Sequence, residues 1–166
     1  MKKPIAIMMM LVNSIAHADC SSITPHTISA DRYSLLNNGS EVLDKQTKLI
    51  WQRCLDGQAW SGSQCTGTPS SKVWRSALIS AKDTTLWRIP NVKELESLTE
   101  YACHPMLDVV FVDINPKINY ATWTSTPNSH NAQEAWVVNF SAYSAEIVAV
   151  SAKTYVYPTR FVRNAP

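Results

Sequence analysis

The sequence predicts an α+β domain in which two helices pack on a mostly antiparallel sheet. Three observations support this prediction: strand-like alternation before residue 54, two helical patterns between residues 70 and 102, and further strand-like segments after residue 120. The order of strands, helices and then strands is typical of α+β folds. Residues 19–166 show no internal repeat and no break in composition, which indicates a single domain.

The strands are predicted from apolar alternation and turn residues. Within residues 31–54, two turn signals at residues 37–40 and 44–47 divide the alternating pattern, so we expect an antiparallel hairpin or meander. The later strands are predicted at residues 121–126, 135–140, 146–150 and 160–163.

The first helix is expected to begin after Ser70 or Ser71, either of which can act as an N-cap. Its apolar residues follow the i, i+3, i+4, i+7 spacing of a buried helix face. They are Trp74, Ala77, Leu78 and Ala81.

The second helix is expected to begin after Asn91, because Glu94 stands three residues later in the arrangement of a capping box. Its buried stripe is predicted to consist of Val92, Leu95 and Leu98. This helix is expected to end near residue 101 or 102.

Residues 1–18 have the three parts of a secretory signal peptide. Two lysines supply the positive charge, residues 5–15 form an apolar run, and Ala-His-Ala at residues 16–18 supplies the small residues that a signal peptidase requires. The apolar run of about eleven residues is short of the roughly 20 that span a bilayer. We therefore expect an exported domain, residues 19–166, that is periplasmic, cell-surface or secreted and has no stable membrane span.

Removing the signal also removes its two lysines, which leaves thirteen basic and thirteen acidic residues. No run of Lys or Arg occurs in the chain. Because nucleic-acid-binding proteins carry a basic patch or stripe, nucleic acid is not an expected partner.

The chain has four cysteines, Cys20, Cys54, Cys65 and Cys103, and an even number in an exported chain indicates disulfides. Four cysteines allow three pairings, and the sequence alone does not choose among them. The segment from Cys54 to Cys65 is rich in Gly, Ser and Gln and looks like a loop closed on itself, which would leave Cys20 for Cys103. The alternative, a zinc site, lacks any C-x-x-C pair, so no metal is expected.

The sequence offers few groups for catalysis. The common catalytic and nucleotide-binding motifs are absent, and His26, His104 and His130 are well separated. Glu96 and Glu100 stand four residues apart in the second helical pattern, where a solvated helix face explains them better than a catalytic pair. We therefore expect no catalytic residue, no cofactor and no enzyme activity.

Six tryptophans are many for a chain of this length, and five lie in apolar strand or helix contexts that predict core positions. Trp60 differs because it lies in the cysteine loop beside Gln58. It is a candidate stacking surface for a sugar, with packing against the adjacent disulfide as the alternative. Asn128, His130 and Asn131 are further candidate ligand-binding residues, because loops on a rigid sheet commonly carry recognition.

A series of segments through nearly the whole predicted domain resembles the family of the C-terminal domain of the Legionella collagen-like adhesin. The combination of WRIPNVKEL with a later WTST and a terminal RFVR is specific. The matching segments are VLDKQTKLIWQRC, GQAWSGSQCTGTP, VWRSAL, LWRIPNVKELESL, CHPMLDVVF, ATWTST, AWVVNFSAY and TRFVR.

The resemblance implies a fold similar to C-type lectins and to the sulfatase-modifying-factor group. It implies that the N- and C-terminal strands come together, that Cys54 pairs with Cys65 and Cys20 with Cys103, and that Arg88 and Arg163 bond to carbonyls or carboxylates. Lys48 stands where the family usually has glycine. Because E-P-N and W-N-D, the tripeptides of calcium-dependent sugar binding, are absent, the fold alone does not imply a lectin site.

Three functions follow from these observations. The first is a non-enzymatic, adhesin-like surface module that recognises a glycan (the related adhesin engages sulfated polysaccharide) or a protein partner. The second is a structural or accessory subunit of a pilus, secretion or conjugation apparatus. The third is an enzyme of the sulfatase-modifying-factor type, which would need free cysteines to hold a metal.

Overall fold

A computed structural model describes residues 19–82, 86–111, 121–141 and 146–166. The helices are α1, Trp74–Lys82, and α2, Val92–Glu96, and short 3-10 turns lie at Asn37–Gly39 and Val109–Phe111. The strands are β1 Asp19–Cys20, β2 Tyr33–Leu36, β3 Glu41–Asp44, β4 Leu49–Gln52, β5 Ala59–Trp60, β6 Cys65–Thr66, β7 Lys72–Val73, β8 Cys103–His104, β9 Ala121–Pro127, β10 Glu134–Asn139, β11 Val148–Ala152, β12 Val156–Tyr157 and β13 Val162–Asn164.

The described part of the chain confirms the α+β class, with antiparallel strand pairs and two helices. β2, β3 and β4 form the expected meander, and β13 adds to β4 from the far end of the chain, giving a four-stranded sheet. The terminal strands therefore meet, as the resemblance implied. The closer likeness to C-type lectins stays a prediction.

Residues with positive φ lie within the first predicted turn of the meander and directly after the second. In the first, Asn37, Asn38 and Gly39 have φ values of 47°, 55° and 87°. After the second, predicted at residues 44–47, Lys48 has a φ of 59°, so a lysine occupies the left-handed position that a glycine would adopt more easily. Asp44 compensates by closing this turn: its Oδ1 accepts hydrogen bonds from the backbone N–H groups of Gln46 and Thr47.

The three-stranded sheet, in the order β11, β10, β9, separates two buried clusters. Side chains alternate along a strand, so neighbouring residues of β10 face opposite sides. Val138 packs with Trp51 and the meander, whereas Val137 packs with Trp123 and α1. The sheet is thus covered on both sides, which explains why Trp51 and Trp123 are fully buried.

Helix α1 has the predicted buried face, with Ala77 and Ala81 buried and Trp74 and Leu78 packed against the same cluster. The expected N-cap at Ser70 or Ser71 is wrong. The two residues before the helix form β7 and pair with β12, so the chain stays extended until Trp74.

Helix α2 has the predicted capping box. The Asn91 side chain accepts from the Glu94 backbone N–H at 2.9 Å, and the Glu94 carboxylate accepts from the Asn91 N–H at 2.8 Å. The helix ends at Glu96, earlier than predicted, because the Ser97 hydroxyl bonds to the Glu94 carbonyl and the backbone continues in i to i−3 turns. Leu98 is nevertheless fully buried.

Glu100 is completely buried, so the prediction of a solvated face is wrong for this residue. Its carboxylate accepts hydrogen bonds from the backbone N–H groups of Thr27, Ile28 and Ala102 at 2.9–3.1 Å. Burial alone would raise the pKa of Glu100, but these three N–H donors outweigh it and lower the pKa. Glu100 therefore fastens residues 27 and 28, near the start of the described chain, to the segment that follows α2.

The two disulfides are Cys20–Cys103 and Cys54–Cys65, and none of the four cysteines is free. The first bridge joins β1 to β8, which pair antiparallel, and reinforces the attachment made by Glu100. The pairing implied by the resemblance is confirmed.

The predicted signal peptide, residues 1–18, lies outside the described residues. Within the part of the chain that the structure describes, neither helix is long and apolar enough to cross a membrane.

Replacing Glu100 with Gln (E100Q) should lower the free energy of unfolding by about 1–3 kcal/mol at neutral pH, because an amide nitrogen cannot accept the backbone N–H bonds that the second oxygen accepts. The native state lowers the pKa of Glu100, so the ionised group stabilises it above the unfolded pKa of about 4.3, and this stabilisation disappears as the pH falls through the lower folded value. The difference between wild type and E100Q should therefore shrink in acid.

Urea unfolding at neutral and acidic pH measures the loss of unfolding free energy in E100Q and its dependence on pH. The matched control is E96Q, since the one ion pair of Glu96 within the described residues is with the exposed Lys93. Equal destabilisation by E96Q and E100Q, or a difference that does not change with pH, would contradict the anchoring role.

The two disulfides should contribute unequally to stability. They close segments of 83 and 11 residues, and a longer closed loop restricts the unfolded chain more. Replacing Cys20 and Cys103 together with Ala should cost about 4–5 kcal/mol, against about 3 kcal/mol for Cys54 and Cys65. Denaturant unfolding of the two double variants tests this order. The reverse order would show that contacts in the native state, and not the entropy of the unfolded chain, decide how much each disulfide stabilises the domain.

Candidate functional site

The cysteine loop holds Trp60 in a defined position. Inside the loop, β5 pairs with β6 so that Trp60 stands directly opposite Cys65, which is bonded to Cys54. The Trp60 side chain is half-buried, and a short ladder and a covalent bond fix it.

Two neighbouring segments contact the indole of Trp60. Its Nε1–H donates to the carbonyl oxygen of Asn38 at 3.0 Å. The guanidinium of Arg53 lies 3.8 Å from the ring centroid, which is a cation–π contact, and its Nη1 donates to the carbonyl of Gly39 at 3.3 Å. Arg53 therefore covers one face of the indole.

Gly39 is required at the turn beneath Trp60 for two reasons. Its φ of +87° is strained for any residue with a side chain. A Cβ at this position would also lie 3.2 Å from Nε1 of Trp60 and 3.3 Å from Nη1 of Arg53. A side chain at position 39 would therefore strain the turn and press on the side chains of Trp60 and Arg53.

Trp60 forms one side of a cleft of about 210 Å³ whose lining is aromatic and polar. The lining residues are Ser40, Glu41, Gln52, Cys54, Gln58, Trp60 and Trp87. They come from the meander, the cysteine loop and the segment between the helices, so the folded chain assembles the cleft from distant parts of the sequence.

Arg163 fixes the orientation of two cleft residues. Its Nη2 donates to Oε2 of Glu41 at 2.6 Å, and both side chains are largely buried. The same guanidinium lies 5.1 Å from the ring centroid of Trp87. One arginine on β13 therefore orients the carboxylate of β3 and the second indole of the cleft.

Several polar groups of the cleft remain available to a ligand. Gln58 accepts from the Leu55 N–H through Oε1, so its Nε2 donors are left over. Among the described residues the side-chain amide of Gln52 makes no hydrogen bond. Flat indole faces beside amide and carboxylate groups suit a small ligand that combines an apolar face with hydroxyl groups.

The predicted loop residues lie elsewhere, between β9 and β10, and none of them lines the Trp60 cleft. Asn128 accepts from the His130 N–H through Oδ1 and donates to Glu134 through Nδ2 at 2.8 Å. Asn131 accepts from the Gln133 N–H. These bonds close the loop itself, and the role of Asn128, His130 and Asn131 in ligand binding stays a prediction.

Arg88 makes the structural contacts that the resemblance implied. Its two terminal nitrogens donate to the two carboxylate oxygens of Glu94, both at 2.7 Å, while its backbone pairs with Val162. The hydrogen bond to Glu94 is the largest cause of the raised pKa of Arg88. Burial would raise the pKa of Glu94, but the hydrogen bonds from Arg88 and from the Asn91 N–H, together with the charge of Arg88, outweigh burial and lower it. The pair stays ionised and joins α2 to the segment before it.

Sequence reasoning found Trp60 but missed its partners. In the sequence, Gln52 and Glu41 are polar residues within the strand-like pattern, with nothing to mark them as ligand-binding residues. Trp87 was predicted to be a core residue. No local pattern indicates that β13 brings Trp87 and Glu41 together. Within the described residues, no group of three or more His, Cys, Asp and Glu side chains is placed to hold a metal ion.

Comparison with known proteins gives one match. Searches of curated proteins and of solved structures found nothing similar. The model of the Lcl C-terminal domain family matches residues 40–163, which include both tryptophans of the cleft and most of the described strands. This match covers well over half of the chain, and the protein belongs to the Lcl C-terminal domain family.

Proposed function

We propose that this domain is an exported, non-enzymatic binding module of the adhesin type, and that the Trp60 cleft recognises a glycan. The observation that carries the proposal is the cleft itself, in which Trp60 and Trp87 stand beside the amides of Gln52 and Gln58. The apolar face of a sugar ring packs on an indole, and its hydroxyl groups bond to amides and carboxylates.

The rigidity of the cleft supports recognition without a large loss of entropy. A disulfide, a backbone hydrogen bond and a cation–π contact hold Trp60 in place before any ligand arrives. Preorganised groups bind a ligand more tightly because their side chains lose little conformational entropy on binding. Membership of the Lcl C-terminal domain family and two disulfides agree with a role outside the cytosol.

The pairing of all four cysteines bears on the enzymatic alternative. Chemistry of the sulfatase-modifying-factor type uses free thiols to hold a metal, and the thiols here are joined as Cys20–Cys103 and Cys54–Cys65. This pairing supports a binding role.

Replacing Trp60 with Ala (W60A) should reduce binding on a glycan array by at least about tenfold, since it removes the stacking face. W60F, which keeps an aromatic ring, should retain more of the binding. The matched control is Y155A, because Tyr155 is an exposed aromatic residue that does not line the cleft. The array is probed with the purified, oxidised protein at several salt concentrations.

The outcomes of this experiment separate the proposals. If W60A abolishes binding and added salt weakens binding of the wild type, the ligand is an anionic glycan. Arg53 and Arg163 are the cations next to the tryptophans of the cleft. Binding that W60A leaves intact would move the site away from the cleft. Binding to no glycan would overturn the proposal and favour a role as a subunit of a pilus, secretion or conjugation apparatus.

Replacing Gly39 with Ala (G39A) should weaken glycan binding as well as stability, because the new Cβ displaces Trp60 and Arg53. The strained φ should cost about 1–3 kcal/mol. G62A is the matched control: Gly62 also has a positive φ, of +101°, but no atom lies within 4 Å of its added Cβ. If G39A and G62A bound glycans equally well, Gly39 would matter only for the turn.

A further inference from the structure

A second concave surface lies between α1 and the segment that follows it. We define this α1 groove by its lining residues, which enclose about 850 Å³: Arg75, Leu78, Ile79, Ala81, Trp87, Arg88, Ile89, Asn91, Glu94 and Ser125. Ligand sites commonly measure about 300–1,000 Å³. The α1 groove is therefore large enough for a small molecule, and it is several times larger than the Trp60 cleft.

The walls of the α1 groove are mainly apolar. Leu78 and Ile79 of α1 contribute to the lining, as do Trp87 and Ile89 of the segment that follows α1. Ile79 is 50% exposed although α1 already buries Ala77 and Ala81 in the core. Ile79 is therefore not part of the buried face of α1. An exposed apolar side chain inside a concavity is typical of a binding site.

The charged residues of the α1 groove differ in whether they are paired. Arg88 and Glu94 neutralise each other through two hydrogen bonds of 2.7 Å. Arg75 is exposed, and no hydrogen bond or ion pair engages its side chain within the described part of the chain. Arg75 precedes Leu78 and Ile79 by three and four residues, so the cation lies on the same helix face as the apolar wall.

We propose that the α1 groove binds a small amphiphilic anion, a carboxylate with an apolar chain or ring. The apolar body would lie between α1 and Ile89, and the carboxylate would pair with the guanidinium of Arg75. Charge complementarity selects this occupant: Arg75 is the uncommitted ionic group of the lining, while the Arg88 and Glu94 charges already neutralise each other. This site differs from the proposed glycan cleft in location and ligand chemistry, although both include Trp87.

Decanoate below its micelle concentration is the probe, and 1-decanol is the uncharged comparison. Calorimetric titration of the purified, oxidised protein should show decanoate binding about fivefold more tightly than decanol. R75Q should remove that preference, and I79S should weaken both ligands by about tenfold. The controls are K93Q and I23S, which alter an exposed lysine and an exposed isoleucine that do not line the α1 groove.

Each outcome supports or overturns the proposal. Retained decanoate preference in R75Q, or equal losses in I79S and I23S, would show that binding is not in the α1 groove. No binding of decanoate would overturn the proposal outright. W60A should bind decanoate as the wild type does, so that failure of the glycan proposal and failure of this one remain distinguishable.

Discussion

The pairing of β13 with β4 is the constraint on which the rest of the structure depends. It joins the end of the chain to the first meander through the register Val162 to Trp51. The same strand exchanges two backbone hydrogen bonds with Arg88, which aligns the segment between the helices. Because Trp87 directly precedes Arg88, this alignment also places the indole that both concave surfaces share. Without β13, the Trp60 cleft and the α1 groove would each lose a wall.

Contacts of three arginine side chains then fix the register of the strands in this sheet. Arg163 bonds to Glu41 across the sheet, and the buried Arg160 donates to the backbone carbonyls of Gln52 and Arg53. Buried Asp44 receives two hydrogen bonds from Arg32. Burial would raise the pKa of Asp44, but the hydrogen bonds from Arg32 and Thr47 outweigh this and lower it. Such pairs define a register because removing one partner leaves a buried charge uncompensated.

Local patterns predicted the parts of the fold that depend on local chemistry. The capping box of Asn91 and Glu94, the two turns of the meander and the buried face of α1 all arise from neighbouring residues and are present. The buried role of Glu100 was not predictable, because its donors at residues 27 and 28 lie more than seventy residues away. Trp60 was recognised from its polar surroundings, whereas Trp87 and Glu41 join it only through the long-range pairing of β13.

The size of the Trp60 cleft bears on the affinity of the proposed glycan recognition. A volume of about 210 Å³ accommodates little more than one sugar residue, which has about a dozen non-hydrogen atoms. At about 0.3 kcal/mol per atom, the low end of the range for bound ligands, such a ligand would gain about 4 kcal/mol, which corresponds to a millimolar dissociation constant. At that affinity, the proposed attachment to a glycan surface would require several linked clefts to engage one polymer or one surface, where the effective concentration raises the avidity. A dense glycan display would raise the avidity only where several copies of the domain are linked, because a single cleft binds one sugar at a time.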